Sequence, residues 1–335
     1  MQAIAHFWRP DGRKVGVLEN LSQVNRPIAF NGLATAKLAV SKTDPQITTA
    51  MLDWGNIVCI ESDSGVEPTG WIIRGGMQWN AANLLIPLAS WEALLDDRPT
   101  EDIVALDGVA PGDMVRVLFD QAKALGEMPI SIQDIEPAGS TVARDFRAMS
   151  IYDAIEALRQ DTGFEWEIGT HWPVRSKPPV GLLRVGLQLG RKQTGIVLRE
   201  KVNVSVNTFE LNDDNAVTEV VAFGGDGVWG QRTKVVVQNE AARGWARRKT
   251  VVRTEAGDSK YLSEIAGQEM EGVRTVIDCV AVNVNDEWAR IRNGDTVTVD
   301  LLSFGPAAAK YRARVMGRQV DELNGQQRLA LEVAN

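Results

Sequence analysis

Pro27-Ile28-Ala29-Phe30-Asn31-Gly32-Leu33-Ala34-Thr35-Ala36-Lys37-Leu38-Ala39-Val40 sets an Asn-Gly pair between two runs of strand-forming residues. Asn-Gly flanked by alternating residues is the strongest short-range sign of a β-hairpin, because both turn positions need positive φ. Strands are therefore expected at Pro27–Phe30 and Ala34–Val40, with the turn at Asn31–Gly32. Working outward, Val15–Leu18 precedes this hairpin, while Ile57–Glu61 and Thr69–Arg74 follow Asp44-Pro45, separated by the turn Asp63-Ser64-Gly65 and closed by Gly75-Gly76. Short strands at this spacing predict a small antiparallel barrel or sandwich over residues 1–95.

The pattern changes at the acidic loop Asp96-Asp97-Arg98-Pro99-Thr100-Glu101-Asp102. Met114, Val115, Leu118, Ala122 and Leu125 then recur at helical spacing, with Asp113 as candidate cap and Gly126 as terminator. A second helix is expected after Ser150, with Asp153 three residues on, apolar Ile151, Ile155 and Leu158 on one face, and Gly163 past its end. Residues 96–175 read as a mixed α/β domain, ending in an exposed loop or linker from His171-Trp172-Pro173 to Lys177-Pro178-Pro179. Residues 176–335 read as a second barrel-like β region, with strands at Leu182–Leu189, Ile196–Leu211, Val217–Phe223, Thr233–Gln238, Val273–Val284 and Thr296–Leu301. One helix is expected from Ser259 to Glu271, capped by Asp258, and a last hairpin turns at Asn324-Gly325. The fold class is mainly β with an α/β middle.

Length and charge narrow the function. At roughly 150 residues per domain, 335 residues suffice for about two domains with real cores. Hydrophobic residues at 44% and charged ones at 24% are ordinary globular values, which excludes long disordered or fibrous tracts. A net charge of −8 has the wrong sign for a chain whose main task is gripping a nucleic-acid backbone. The charge is also segregated: Glu92 to Asp161 holds 15 acids against 6 bases, and Gln231 to Lys260 holds 8 bases against 3 acids. Opposite-sign surfaces on one chain suit self-association or a complementary partner. Met1 to His6 shows no basic segment leading into an apolar core, so no signal peptide is read, and no apolar run approaches the ~20 residues of a membrane helix. Cys59 and Cys279 are then expected to be reduced and buried.

No catalytic constellation emerges, and no cofactor or metal is expected. Gly225-Asp226-Gly227-Val228-Trp229-Gly230 spells G-x-G-x-x-G, but a dinucleotide site needs this loop to open a helix, and Thr233-Lys234-Val235-Val236-Val237 is strand-like. His6 and His171 lie outside zinc or triad spacing. Asp96, Asp97, Glu165 and Glu167 are candidate glycosidase carboxylates only by abundance, and Asp213-Asp214-Asn215 lacks the rest of a calcium loop. Tryptophan is the compositional excess, at ten residues. Large aromatics and arginines anchor protein interfaces, so Trp71, Trp79, Trp229, Arg243, Trp245, Arg247 and Arg248, beside the Gly75-Gly76 turn or in the basic segment, are the candidate interface residues.

Several stretches, in this order, resemble the tail-hub proteins of long-tailed bacteriophages. They are Phe30-Asn31-Gly32, Ala36–Val40, Asp44-Pro45, Thr69-Gly70-Trp71-Ile72, Ser150–Ile155, Asp161–Trp166, Asn215–Gly224 and Arg292–Val299. The resemblance implies a structural tail-tip or baseplate hub: a trimer whose two related β-barrels per subunit form a pseudo-sixfold ring between the tail tube and the tip. It implies as partners the distal tail protein ring, tape measure protein and tip fibre, and a place in the virion after assembly in the host cytoplasm. The chain lacks the peptidase or lysozyme extension of some relatives, so no enzyme activity is expected. The other readings are a glycan-binding or adhesion module, suggested by the tryptophans, and a peptidoglycan-degrading enzyme, resting on spare carboxylates.

Overall fold

In the strand Thr35–Ser41, Ala36 and Leu38 point inward while Thr35 and Lys37 face solvent, the two-residue period that one buried sheet face imposes. It pairs antiparallel with Leu21–Ala29 on one side and Asn83–Ala89 on the other. This is the expected hairpin, with a longer connection. Pairing with Leu21–Ala29 runs from Leu21–Val40 to Asn25–Lys37, and on its other edge Asn25 to Ala29 pair with the C-terminal strand Lys310–Asp321. Residues 30–34 form a loop outside the strand pairing, in which Asn31 takes the left-handed φ of 53°.

The computed structural model describes residues 3–63, 66–100, 104–212, 217–226, 232–238, 248–253, 259–268, 274–281, 290–321 and 326–333. By compactness the chain forms two units, residues 1–207 with 278–334, and residues 208–277. In the first, hydrogen-bonded neighbours run Gln326–Val333, Lys310–Asp321, Leu21–Ala29, Thr35–Ser41, Asn83–Ala89, Thr69–Ile73, Ile57–Ser62, Ala3–Trp8 and Lys14–Leu18. Among the described residues this path does not close into a ring. The N-terminal third and the C-terminal hairpin therefore share one sheet.

The N-terminal strands are covered on both faces. Phe7, Val58 and Trp71 enter a core with Leu18, Leu38 and Ile86, while Trp8, Ile57 and Ile72 face the α/β segment. Double coverage explains why Ile57–Glu61 is buried without alternation. The short helix α1 (Ala93–Asp96) leads into the acidic loop that opens the α/β segment. Helix α2 (Pro111–Ala124) begins three residues earlier than the capping pattern suggests: Pro111 takes the first helical position, whose N–H needs no partner, and Asp113 lies in the first turn. Helix α3 (Ile151–Thr162) matches expectation, with Ser150 Oγ accepting from Asp153 N at 3.0 Å and Gly163 left-handed at φ 74°. Ile151, Ile155 and Leu158 are buried in one core with Met114, Leu118 and Phe119. Beside the helices, Val180–Gly186 pairs parallel with Ile130–Ile135 and antiparallel with Glu165–His171. The loop 172–179 is thus an exposed hairpin connection within one sheet and not a linker.

The expected strand Ile196–Leu211 is broken. Lys192–Arg199 and Val204–Asn212 are separated by a turn in which Lys201 has φ 61° and Asn203 Oδ1 accepts from Arg199 N at 2.6 Å. The side-chain amide competes for the backbone and interrupts a run of apolar residues that otherwise reads as continuous.

The second unit holds a three-stranded sheet in the order Arg232–Gln238, Glu219–Asp226, Lys249–Arg253, with helix α4 (Ser259–Gln268) on one face. Glu219–Asp226 pairs antiparallel with Arg232–Gln238, so the glycine-rich stretch is followed by a strand and not by a helix. Gly227 to Gly230, Asp213 to Asn215, and the expected cap Asp258 lie outside the described residues. Replacing Leu158 by Ala is expected to lower stability by ~2–5 kcal/mol in denaturant unfolding, the range for a cavity in a packed core; a loss under ~0.5 kcal/mol would contradict the packing of α3.

Candidate functional site

Three distant segments of the first unit meet at the loop 30–34. Asn31 Oδ1 accepts from Trp166 N at 2.9 Å, Leu33 N donates to Tyr152 Oη at 3.2 Å, and Ala34 N to Ser90 Oγ at 2.9 Å. The Arg314 guanidinium donates to both carboxylate oxygens of Glu165, to Leu189 O at 2.8 Å and to Gly294 O at 3.1 Å, and lies over the Phe30 ring at 5.3 Å. Two glycines permit this approach. Gly190 (φ 96°) and Gly294 (φ 82°) cross backbone to backbone, and a Cβ on Gly190 would stand 2.2 Å from the carbonyl carbon of Gly294. Asp295 completes the crossing by accepting from Arg191 N at 2.7 Å, Gln193 Nε2 at 2.9 Å and Arg292 N at 2.9 Å.

Beside this junction is a cavity of about 450 Å³ lined by Trp71, Trp91, Glu92, Glu167, Arg184 and Arg318 among others. Its charges are mostly matched: Arg184 pairs with Glu167 at 2.8 Å and Arg292 with Glu67, while Arg318 donates to Ile291 O. Burial pushes the Glu92 carboxyl up to about 7, against the Ser90 hydroxyl and two backbone N–H groups that favour its anion. Glu167 is raised for the same reason, with Arg184 opposing. Among the described residues no three His, Cys, Asp or Glu side chains gather as a metal site. Burial also raises both thiols, Cys279 to about 12, so neither is a ready thiolate.

His6 is a structural group. Its Nε2 faces Glu61 Oε1 at 2.9 Å and its Nδ1 faces Lys14 Nζ at 3.0 Å. Since the ammonium can only donate, Nδ1 accepts and Nε2 carries the proton. Burial holds the imidazole below its ordinary pKa, with the Glu61 hydrogen bond opposing. His171 is exposed at the end of its strand. Glu165, one of the candidate glycosidase acids, is taken by Arg314, and Glu167 by Arg184; Asp96 and Asp97 both pair with Arg74 at 2.8 Å.

The structure separates the candidate interface residues. Trp71 is 2% exposed, its indole donating to Thr69 Oγ1 at 2.8 Å, so it is a core residue and not a surface anchor. The physical reason is that its strand has both faces covered, so every register buries it. Trp79 is 62% exposed on the short strand Gln78–Trp79. Arg248 is exposed, its backbone held by Thr218 Oγ1. Trp229, Arg243, Trp245 and Arg247 lie outside the described residues. The sequence reading missed Trp54, 67% exposed in a turn before Gly55, whose turn chemistry was a usable signal.

No protein-family model and no curated sequence matches the chain. Solved structures do. The 43 kDa tail protein of prophage MuSo2 from Shewanella oneidensis superposes on 100% of this chain and 98% of its own at a TM-score of 0.70 and 8% identity. A tail protein from Neisseria meningitidis covers 99% and 97% at a TM-score of 0.67 and 13% identity. Prophage tail protein gp18 from Listeria monocytogenes covers 99% and 94% at a TM-score of 0.64 and 10% identity. The chain has the fold of phage tail proteins. That fold extends over the entire chain, including the segments that meet at the Arg314 junction.

Two outcomes are expected from the electrostatics of this tail-protein fold. Arg314→Ala strands Glu165 in a largely buried position and should cost about 3–5 kcal/mol in chemical unfolding; an unchanged midpoint would contradict the junction. The raised carboxyl of Glu92 means the folded state holds a proton that the unfolded chain has released, so its contribution weakens as pH rises from the ordinary carboxylate range to about 7. Glu92→Gln should therefore gain stability relative to the parent as pH rises through that window, read from melting temperatures at pH 5 and pH 8, and parallel profiles would refute the assignment.

Proposed function

We propose that the chain is a structural subunit of a bacteriophage tail tip or baseplate, a hub that assembles as a trimeric ring of pseudo-sixfold character. The observation that carries this reading is the tail-protein fold, which extends over 99–100% of the chain and 94–98% of the three tail proteins. Charge supports it. Asp107, Asp113, Asp120, Glu127, Asp134 and Glu136 are exposed and make no ion pair among the described residues, while the basic surplus lies in residues 231–260. Neighbouring subunits can bring segments of opposite sign together. The hub reading places the ring in the virion, against the distal tail protein, tail tube, tape measure protein and tip fibre.

Electron microscopy of the purified protein, alone or with its tail partners, should show three-subunit rings. Ring formation should fall as salt rises, because exposed charges are screened over about 8 Å at physiological ionic strength. Reversing Arg247 and Arg248 to Glu should weaken rings while circular dichroism stays unchanged. Light scattering that finds a monomer at all salt concentrations, with no incorporation into tails, would overturn the reading.

A further inference from the structure

The sheet of the second unit is covered by a helix on one face. Val220, Ala222, Val235, Val237 and Val252 point toward Leu262 and Ala266 of α4. The alternate residues form the opposite face, and register aligns them in rows: Val236, Val221 and Val251 across the middle, with Lys234, Phe223 and Arg253 on one side and Gln238, Glu219 and Lys249 on the other. Val236 is 44% and Val251 54% exposed, while Val221 between them is 6% exposed, so the open apolar surface lies on the two outer strands. Lys249 pairs with Glu219, while Lys234 and Arg253 make no ion pair among the described residues. This face is thus an apolar row with unneutralised positive charge along one border. Lys234 and Arg253 stand on the two outer strands, about 10 Å apart at a strand spacing of about 4.8 Å, and a helix laid across the strands spans that separation in about seven residues.

We infer that this face docks helix α2 of a second copy of the chain; the inference rests on the self-assembly proposed above. The exposed stripe of α2 is Asp113, Val117, Asp120 and Ala124, at spacings of four, three and four residues that keep them on one helical face. Val117 is 36% exposed on a helix whose other apolar residues are mostly buried. Val117 meets the row of valines, and Asp113 and Asp120 meet Lys234 and Arg253. A docked α2 gives the sheet a helix on each face and pairs four charges that no intramolecular contact among the described residues satisfies. An acidic helix with an apolar centre fits this face, whereas a nucleic acid would leave the valine row against phosphate.

The test mixes Val117→Cys copies with Val251→Cys copies in oxidised glutathione; the native cysteines are buried. A disulfide-linked pair should appear on a non-reducing gel, and the control mixture of Trp54→Cys with Val251→Cys should give none. Separately, Lys234→Glu with Arg253→Glu should weaken self-association about tenfold in sedimentation, the scale of about 1.4 kcal/mol. Adding copies carrying Asp113→Lys and Asp120→Lys should restore it, with circular dichroism confirming that all variants fold. Rings that form at parental strength with the reversed pair, or cross-linking no greater than the control, would overturn this docking and leave the hub reading standing. A monomer under every condition overturns both.

Discussion

The ion pair between Glu165 and Arg314 is the contact on which the first unit turns. It joins residues 149 positions apart and, through Leu189, Gly294 and Phe30, fastens the edge of the α/β segment to the C-terminal hairpin and to the loop after the first long strand. A guanidinium can do this because its fork serves a carboxylate and two carbonyls at once. The carbonyls come close enough only because Gly190 and Gly294 lack side chains where their backbones cross. Charge, planarity and the absence of two Cβ atoms are thus one constraint.

The local parts of this architecture are legible in the sequence. Helix α3 is visible because its cap, apolar stripe and terminator lie within 14 residues, and the glycine-rich decoy can be rejected because the strand after it is strand-like. The joining of Leu21–Ala29 to Lys310–Asp321 is not legible, since nothing in either run specifies a partner nearly 300 residues away. The break at Lys201 to Asn203 hides inside a β-forming stretch, its cause being one side-chain amide. The residues quoted for the phage resemblance are informative in an unplanned way: Phe30, Asn31, Tyr152, Glu165, Trp166 and Gly294 converge on the junction, so the pattern marks packing and not chemistry. Trp71 and Trp79 look equivalent as sequence, and what separates them is that the strand of Trp71 is covered on both faces while the short strand of Trp79 is exposed.

Charge follows the same division. Several buried ionisable groups of the first unit are paired, as with Arg184 and Glu167, and hold segments together, while the Glu92 carboxyl is raised by burial instead. The exposed acids of α2 and its surroundings are not matched among the described residues. The hub reading assigns that acidic surface, and the basic surplus in residues 231–260, to contacts made after folding.

The second unit interrupts the first between residues 207 and 278, and the chain departs and returns along Val204–Asn212 and Arg274–Ala281, which are sheet neighbours. Adjacent strands are about 5 Å apart, so the two ends of the insertion can be bridged by a short turn. Such an arrangement behaves as a cassette: lineages can lengthen, trim or exchange the inserted portion while the host scaffold keeps its own hydrogen bonding. Diversity among proteins of this shape should accordingly concentrate in the cassette, leaving the glycine crossing under the strictest selection.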